Sequence, residues 1–120
     1  MEIQDFKDLV VWQKAMDLTT EVYRLTKKLP KDELYGLTNQ LRRAAVSIPS
    51  NIAEGNARGS QREYVRFLSI ARGSKSEVET QLLLCVKLGY LEPSETESAL
   101  ALCTEVGKML TVMISKLVRE

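Results

Sequence analysis

Five arginines in the middle of the chain are the side chains best suited to bind a phosphate-bearing ligand. Arg58, Arg62 and Arg66 are spaced by four residues, so on a helix they form one cationic ridge. Arg42 and Arg43 lie on the preceding predicted helix. Because a row of guanidinium groups can neutralise phosphates, these arginines are a candidate site for binding RNA or DNA with salt-dependent affinity.

Charge is distributed unevenly along the chain. Residues 36–75 contain seven basic and two acidic side chains, a net charge of +5, although the whole chain has a net charge of only +1. Residues 1–35 have six bases and seven acids, and residues 76–120 have four bases and seven acids. The basic segment favours an anionic partner, but arginines on a bundle surface are also often solvated or paired with acids of a neighbouring subunit.

Side chains for catalysis or cofactor binding are scarce. The chain has no histidine, which removes the commonest general base, the commonest metal ligand and every Ser-His or Cys-His nucleophile. The chain lacks the glycine-rich loop that ends in Lys-Ser or Lys-Thr and binds nucleotide phosphates. Its acidic residues are too dispersed to hold metal ions for hydrolysis. We therefore predict a protein that is not an enzyme and that has no metal site and no cofactor.

Cys85 and Cys103 are predicted to be free thiols buried in the core. They fall on predicted helices 3 and 4, which meet at a turn near residue 91, so Cys103 lies roughly 9 Å beyond the position level with Cys85. A disulfide needs Cα atoms within about 7 Å of each other, and a metal site would need further ligands.

A group of polar residues lies near or among the apolar positions of helices 2 and 3. Its members are Ser47, Asn51, Glu54, Arg72, Ser74 and Glu77. In an antiparallel hairpin Glu54 is expected to face the start of helix 3, and Arg72 to face residues 41–45. Because buried polar groups need partners, this polar seam either joins the helices or, in part, faces a ligand or partner.

The first helix carries more apolar surface than one core face needs. Apolar residues recur at spacings of three and four over residues 8–29, which predicts a helix ended by Pro30. A second stripe beside the first contains Trp12, Met16 and Tyr23. These three are candidate oligomer-interface residues, and the alternative is a broad core within one chain.

Three more helices follow, with short turns between them. Helix 2 is expected to begin near Asp32 and to be kinked or broken near Pro49, because proline removes one backbone hydrogen bond. Ser60 opens helix 3 as the capping box S-Q-R-E, and Gly89 ends it before helix 4. The pattern predicts an all-α fold, an antiparallel up-down-up-down four-helix bundle occupying residues 1–120 as one domain.

Composition and the amino terminus suggest a cytoplasmic protein. Hydrophobic residues make up 44% of the chain and charged residues 28%, which is ordinary for a globular domain. No uninterrupted apolar run approaches the ~18 residues of a membrane span, and the amino terminus mixes acids with bases, unlike a signal peptide.

Three segments of the chain resemble a known bacterial family. They are FKDLVVWQKA at residues 6–15, YGLTNQLRRAAVSIPSNIAEG at residues 35–55, and EYVRFLSIARGS at residues 63–74, followed by Glu77. The chain resembles the four-helix bundle proteins encoded in intervening sequences of 23S ribosomal RNA genes, often labelled S23 ribosomal proteins. The resemblance implies a homopentamer of four-helix bundles. Despite the label, it does not imply that the chain is a structural component of the ribosome. The family is similar to accessory proteins of diversity-generating retroelements, pentameric bundles whose basic surfaces bind nucleic acid beside a reverse transcriptase.

Two interpretations of function remain open from the sequence. In the first, an oligomer binds RNA or DNA through the arginine surface of helices 2 and 3. In the second, the bundle is a protein-interaction scaffold whose helix 1 stripe and polar seam organise subunits or a partner protein.

Overall fold

Four helices arranged as a bundle make up the structure, a computed structural model that describes residues 5–119. The helices are α1 (Val10–Thr26), α2 (Asn39–Ala57), α3 (Gln61–Lys87) and α4 (Pro93–Arg119). Short 3-10 turns occupy Phe6–Asp8 and Lys31–Glu33, and a π-helical turn occupies Leu34–Thr38. The described residues contain no β-strand, and the predicted all-α four-helix bundle is confirmed.

Neighbouring helices run antiparallel, and α1 also packs against α4. Between α2 and α3, the hydroxyls of Ser47 and Ser74 lie 2.8 Å apart. Between α1 and α4, Nζ of Lys14 lies 2.8 Å from a carboxylate oxygen of Glu105. At one end of the bundle, Nε2 of Gln61 at the start of α3 donates to the carbonyl oxygen of Leu117 near the end of α4 at 2.7 Å, as antiparallel neighbours require.

One apolar core runs along the bundle, built from residues at spacings of three and four on every helix. The fully buried side chains include Leu18, Val22, Leu25, Leu41, Ile48, Ile52, Leu68, Val78, Leu82, Val106 and Leu110. The same spacing predicts Leu34 and Leu88 in the core, but 49% and 52% of their surfaces are exposed. Leu34 lies in the π-helical turn and Leu88 caps the end of α3, so the regular helical spacing no longer directs either side chain inward.

Helix 2 begins later than Asp32, because the 3-10 and π-helical turns over residues 31–38 precede its regular part. The carboxylate of Glu33 accepts hydrogen bonds from the amide of Leu37 at 3.1 Å and from the hydroxyl of Tyr90 at 2.8 Å. These hydrogen bonds lower the pKa of Glu33, the amide having the larger effect. Glu33 therefore ties the α1–α2 connection to the α3–α4 connection at one end of the bundle.

Helix 2 continues without a break through Pro49. The non-helical backbone in this region is at Gly36, with φ −110° and ψ −113°, inside the π-helical turn. Pro49 therefore does not divide α2, and the bend expected there stays a prediction.

The ends of α3 follow the local signals in the sequence. The hydroxyl of Ser60 accepts from the amide of Glu63 at 3.3 Å, which confirms Ser60 as the N-cap. Gly59 and Gly89 precede and follow the helix with φ of 72° and 81°, a conformation that glycine adopts without strain.

Helix 4 is long and apolar enough to cross a membrane by length and composition alone, although charged residues interrupt its apolar sequence. It has 27 residues, and an 18-residue window has a mean hydropathy of 1.3. This is weak evidence, because the core helices of soluble proteins pass the same test. In this bundle α4 directs Cys103, Val106 and Leu110 into the core.

Cys85 and Cys103 are both buried, as predicted, and neither is in a disulfide. No group of three or more His, Cys, Asp or Glu in residues 5–119 is placed to hold a metal ion.

Candidate nucleic-acid interface

The hairpin of α2 and α3 positions all five candidate arginines. Its two helices approach closely near the turn, where an added Cβ on Gly55 would lie 2.9 Å from Cβ of Phe67 and 3.0 Å from Cδ1 of Tyr64. Only glycine fits here without moving α3. Gly55 therefore sets the spacing of α2 and α3 at the hairpin tip, close to Arg58, Arg62 and Arg66.

Arg58 and Arg66 both stack on the ring of Phe67 at this tip. Their guanidinium carbons lie 5.0 and 5.2 Å from the ring centre, within the range of a cation–π contact. Arg58 also pairs with Glu54 at 2.9 Å, and Glu63 lies 3.9 Å from Arg58 and 3.5 Å from Arg66. About half or more of both arginine side chains stays exposed, at 47% and 63%. These surface pairs add little stability but hold the guanidinium groups in place.

Phe67 is the member of this cluster that sequence reasoning missed. Its spacing assigns it to the core face of helix 3, yet its side chain is only half-buried. Because Arg58 approaches from the end of α2, the ring of Phe67 also contacts guanidinium groups at the hairpin tip. The sequence does contain a local indication of this cluster, because Phe67 lies four residues after Glu63 and directly follows Arg66.

Arg42 does not join the tip cluster. Its Nε donates to Oγ1 of Thr26 at 2.8 Å, and its guanidinium carbon lies 4.7 Å from the ring centre of Tyr23. Because Thr26 and Tyr23 belong to α1, Arg42 connects α1 with α2. The predicted ridge is divided as well, because Arg58 caps the end of α2, and α3 carries only its other two members, Arg62 and Arg66.

Arg43 and Arg62 have no ion-pair partner among the described residues. Arg43 lines a shallow polar groove between α2 and α3, together with Glu77. Arg62 lines a groove at the other end of the hairpin, beside Val118. The pairing of Ser47 with Ser74 sets the register of the hairpin, and it places Arg43 about 24 Å from Arg62 along the helix axes.

The polar seam divides into parts. Ser47, Asn51 and Ser74 do join α2 to α3, since Nδ2 of Asn51 donates to the carbonyl and hydroxyl of Ser47 at 2.7 and 2.9 Å, and Ser47 contacts Ser74. Glu54 instead pairs with Arg58 at the end of its own helix.

Arg72 and Glu77 lie on opposite sides of α3. The hairpin pattern predicts that Arg72 faces helix 2, but its Nη1 lies 3.4 Å from Oγ1 of Thr111 in α4. Glu77 lines the α2–α3 groove. These two members of the polar seam therefore belong to different surfaces.

The apolar stripe on α1 is partly exposed. Met16 and Tyr23 are 43% and 39% exposed. Trp12 packs edge-on against Phe6, with ring centres 5.4 Å apart, and contacts the core. Met16 and Tyr23 thus keep exposed apolar surface, whereas Trp12 packs against the core.

Comparisons with known proteins agree with this architecture. The family model described as "23S rRNA-intervening sequence protein" matches residues 7–112. A solved structure of a protein of unknown function from the S23 ribosomal protein family of Bacteroides thetaiotaomicron is similar, with a TM-score of 0.81 and 27% sequence identity. The alignment covers 88% of this chain and 98% of that one. A search of curated proteins found no match. The chain belongs to the family of 23S rRNA-intervening sequence proteins.

Proposed function

We propose that this protein is a non-enzymatic, cytoplasmic homo-oligomer that binds RNA or DNA through the basic surface of α2 and α3. The observation that carries the proposal is a set of four exposed arginines on this hairpin, two of which, Arg43 and Arg62, have no ion-pair partner among the described residues; the set is Arg43, Arg58, Arg62 and Arg66. They lie in the segment 36–75, which has a net charge of +5, whereas the rest of the chain is acidic. Five copies, the number that the family resemblance implies, would multiply this basic surface around one particle.

The spacing of the exposed arginines suits an extended phosphate backbone. Measured along the helix axes, Arg43, Arg66 and Arg62 follow one another over about 24 Å. That distance corresponds to about seven nucleotides at the ~3.4 Å per nucleotide of one strand. Arg58 and Arg66 offer guanidinium planes at the tip, on which unpaired bases can stack. A single strand or a loop is therefore the nucleic acid best suited to this surface.

The first prediction concerns binding to nucleic acid. The double variant Arg43→Gln, Arg62→Gln should bind a labelled, loop-containing RNA more weakly, by about tenfold for each arginine–phosphate pair removed at ~50 mM salt. The slope of log affinity against log salt should fall by about one for each pair. Fluorescence anisotropy at several salt concentrations measures both quantities.

A matched control for this experiment is the double variant Lys31→Gln, Lys116→Gln. Both lysines are exposed and have no ion-pair partner in the described part of the chain, so this control removes the same charge from other surfaces. Equal weakening of both double variants would mean that net charge, and not the α2–α3 surface, determines affinity. Wild-type affinity that does not change with salt would contradict the proposal.

A second function, a protein-interaction scaffold without nucleic acid, is favoured by the exposed apolar residues of α1. Met16 and Tyr23 belong to an apolar stripe that is partly exposed to water. An exposed apolar stripe favours contact with another apolar surface. The same stripe serves the homo-oligomer in the first proposal. The two functions therefore differ in their response to nucleic acid and agree on assembly.

The second prediction tests assembly. Met16→Glu should convert the oligomer to monomer, because a carboxylate at an apolar subunit contact loses its hydration without gaining a partner. Light scattering after size exclusion measures the change, and circular dichroism should show unchanged helicity. Leu83→Glu, at an exposed leucine on α3, is the control and should leave the mass unchanged. An oligomer that survives Met16→Glu would exclude this stripe as the interface.

A further inference from the structure

A groove of about 940 Å³ lies between α3 and α4, on the side of α3 that faces away from α2. Its polar lining consists mainly of basic and hydroxyl side chains. The lining includes Ser69, Arg72, Lys75, Ser76, Thr104, Lys108 and Thr111, with Glu79 as the acid. Three bases against one acid give this groove a local charge of +2.

The basic groups of this groove are held at its walls. Nη1 of Arg72 lies 3.4 Å from Oγ1 of Thr111 on the facing helix, and Nζ of Lys75 lies 3.3 Å from Glu79. The Lys75 side chain crosses to α4 over Gly107, and a Cβ added to Gly107 would lie 2.9 Å from Cε of Lys75. Gly107 therefore provides the space that the Lys75 side chain, only 15% exposed, occupies. Lys108 is exposed at the rim.

Gly73 lies in the same groove and has no packing reason to be glycine. It sits in the middle of α3, where glycine costs about 1 kcal/mol relative to alanine. A Cβ added there would have no atom within 4 Å, and its φ is not positive. Neither the backbone nor the neighbouring helices require this glycine, unlike Gly55 and Gly107. Glycine in such a position allows a ligand to approach the backbone closely.

We propose that the α3–α4 groove is a binding site for phosphate groups. Arg72 can donate two parallel hydrogen bonds to phosphate oxygens, Lys75 and Lys108 supply ammonium charges, and the hydroxyls supply further donors. Gly73 leaves room for the phosphate against α3. The site is separate from the α2–α3 surface, because Arg72 and Glu77 point to opposite sides of α3.

The phosphates have two possible sources, a nucleic-acid backbone or a free polyphosphate anion. Arg62 lines the groove between the start of α3 and the end of α4, about 15 Å along α3 from Arg72. A strand could thus leave the α2–α3 surface at Arg62 and continue through the groove. For this source the inference rests on the function proposed above, whereas for a free polyphosphate it does not.

The experiment uses the full chain in its solution assembly and two probes, a labelled single-stranded oligonucleotide and inorganic tripolyphosphate. Anisotropy follows the oligonucleotide, and amide NMR shifts of Gly73 and Gly107 follow tripolyphosphate. Arg72→Gln with Lys108→Gln should weaken binding of each probe that occupies the groove, by about tenfold for each charge–phosphate pair removed at ~50 mM salt. The Lys31→Gln, Lys116→Gln control should not.

Gly73→Ala separates binding from stability. Alanine favours the helix, so this variant should be at least as stable as the wild type while binding several-fold more weakly, because its methyl group takes space from the phosphate. Because no charge changes, the salt slope should stay the same. If Gly73→Ala and the charge variant Arg72→Gln, Lys108→Gln both bind as tightly as the wild type, the groove is not a phosphate-binding site.

The outcomes distinguish this inference from the proposed function. An oligonucleotide that binds the wild type and the groove variants equally overturns the groove as its site, and weaker binding to Arg43→Gln, Arg62→Gln would still support the proposed function. If the oligonucleotide does not bind at all, the proposed function fails. In that case shifts at Gly73 and Gly107 that vanish in the groove variant support a free polyphosphate, and the absence of such shifts overturns the groove.

Discussion

Replacing Gly55 with valine is expected to lower the free energy of unfolding by about 3 kcal/mol, the upper end of the cost of overpacking. The space for a Cβ is already taken by the Cβ of Phe67 and the ring of Tyr64, at 2.9 and 3.0 Å. Neither group is the free end of a flexible side chain, so α3 itself must move away from α2. Valine adds two further carbons at that point.

Gly73→Val is the matched control, because it makes the same change in another helix. No atom lies within 4 Å of the Cβ position there. The expected change in unfolding free energy is within about 0.5 kcal/mol, as for most surface substitutions. Urea denaturation followed by circular dichroism, at one fixed protein concentration, compares the three proteins. Equal stability of the two variants would mean that the hairpin has room at Gly55.

The fold was predictable because most of its determinants are local. Apolar spacing of three and four identifies the core face of each helix, and Ser60 and Gly89 mark the ends of α3 by hydrogen bonding and backbone freedom. The start of helix 2 was not predictable in this way. It depends on Glu33, whose carboxylate bonds Tyr90 from 57 residues away along the chain.

The candidate site was predictable in composition but not in arrangement. The spacing within one helix does not say which neighbouring helix a partly exposed side chain will face. Arg72 directly follows the buried Ala71 and is rotated about 100° from it, which is enough to direct it to α4 instead of α2. Arg42 is likewise turned toward α1. The helix 2 and 3 surface therefore keeps Arg43, Arg58, Arg62 and Arg66, and the α3–α4 groove becomes visible only when the helices are assembled.

Cys85 and Cys103 are expected to react with iodoacetamide at least 100-fold more slowly in the native protein than in urea. Burial raises the pKa of Cys85 to about 11 and that of Cys103 to about 12, from an ordinary value of 9.0, with the charge of Glu33 adding to the shift at Cys85. The thiolate is the reactive form, and each pKa unit reduces its fraction about tenfold. Both side chains are also fully inaccessible to the reagent.

Mass spectrometry of the alkylated protein at about pH 8 measures these rates, and Ser115→Cys supplies an exposed thiol on α4 as an internal reference. A native cysteine that reacts as fast as this reference thiol would contradict its burial.

The same labelling also tests Gly55, because a buried thiol reacts only when the bundle opens. When reclosing is faster than alkylation, the rate follows the population of the open state. A decrease of about 3 kcal/mol in the stability of Gly55→Val should therefore accelerate labelling of both cysteines by about 100-fold, while Gly73→Val should label like the wild type.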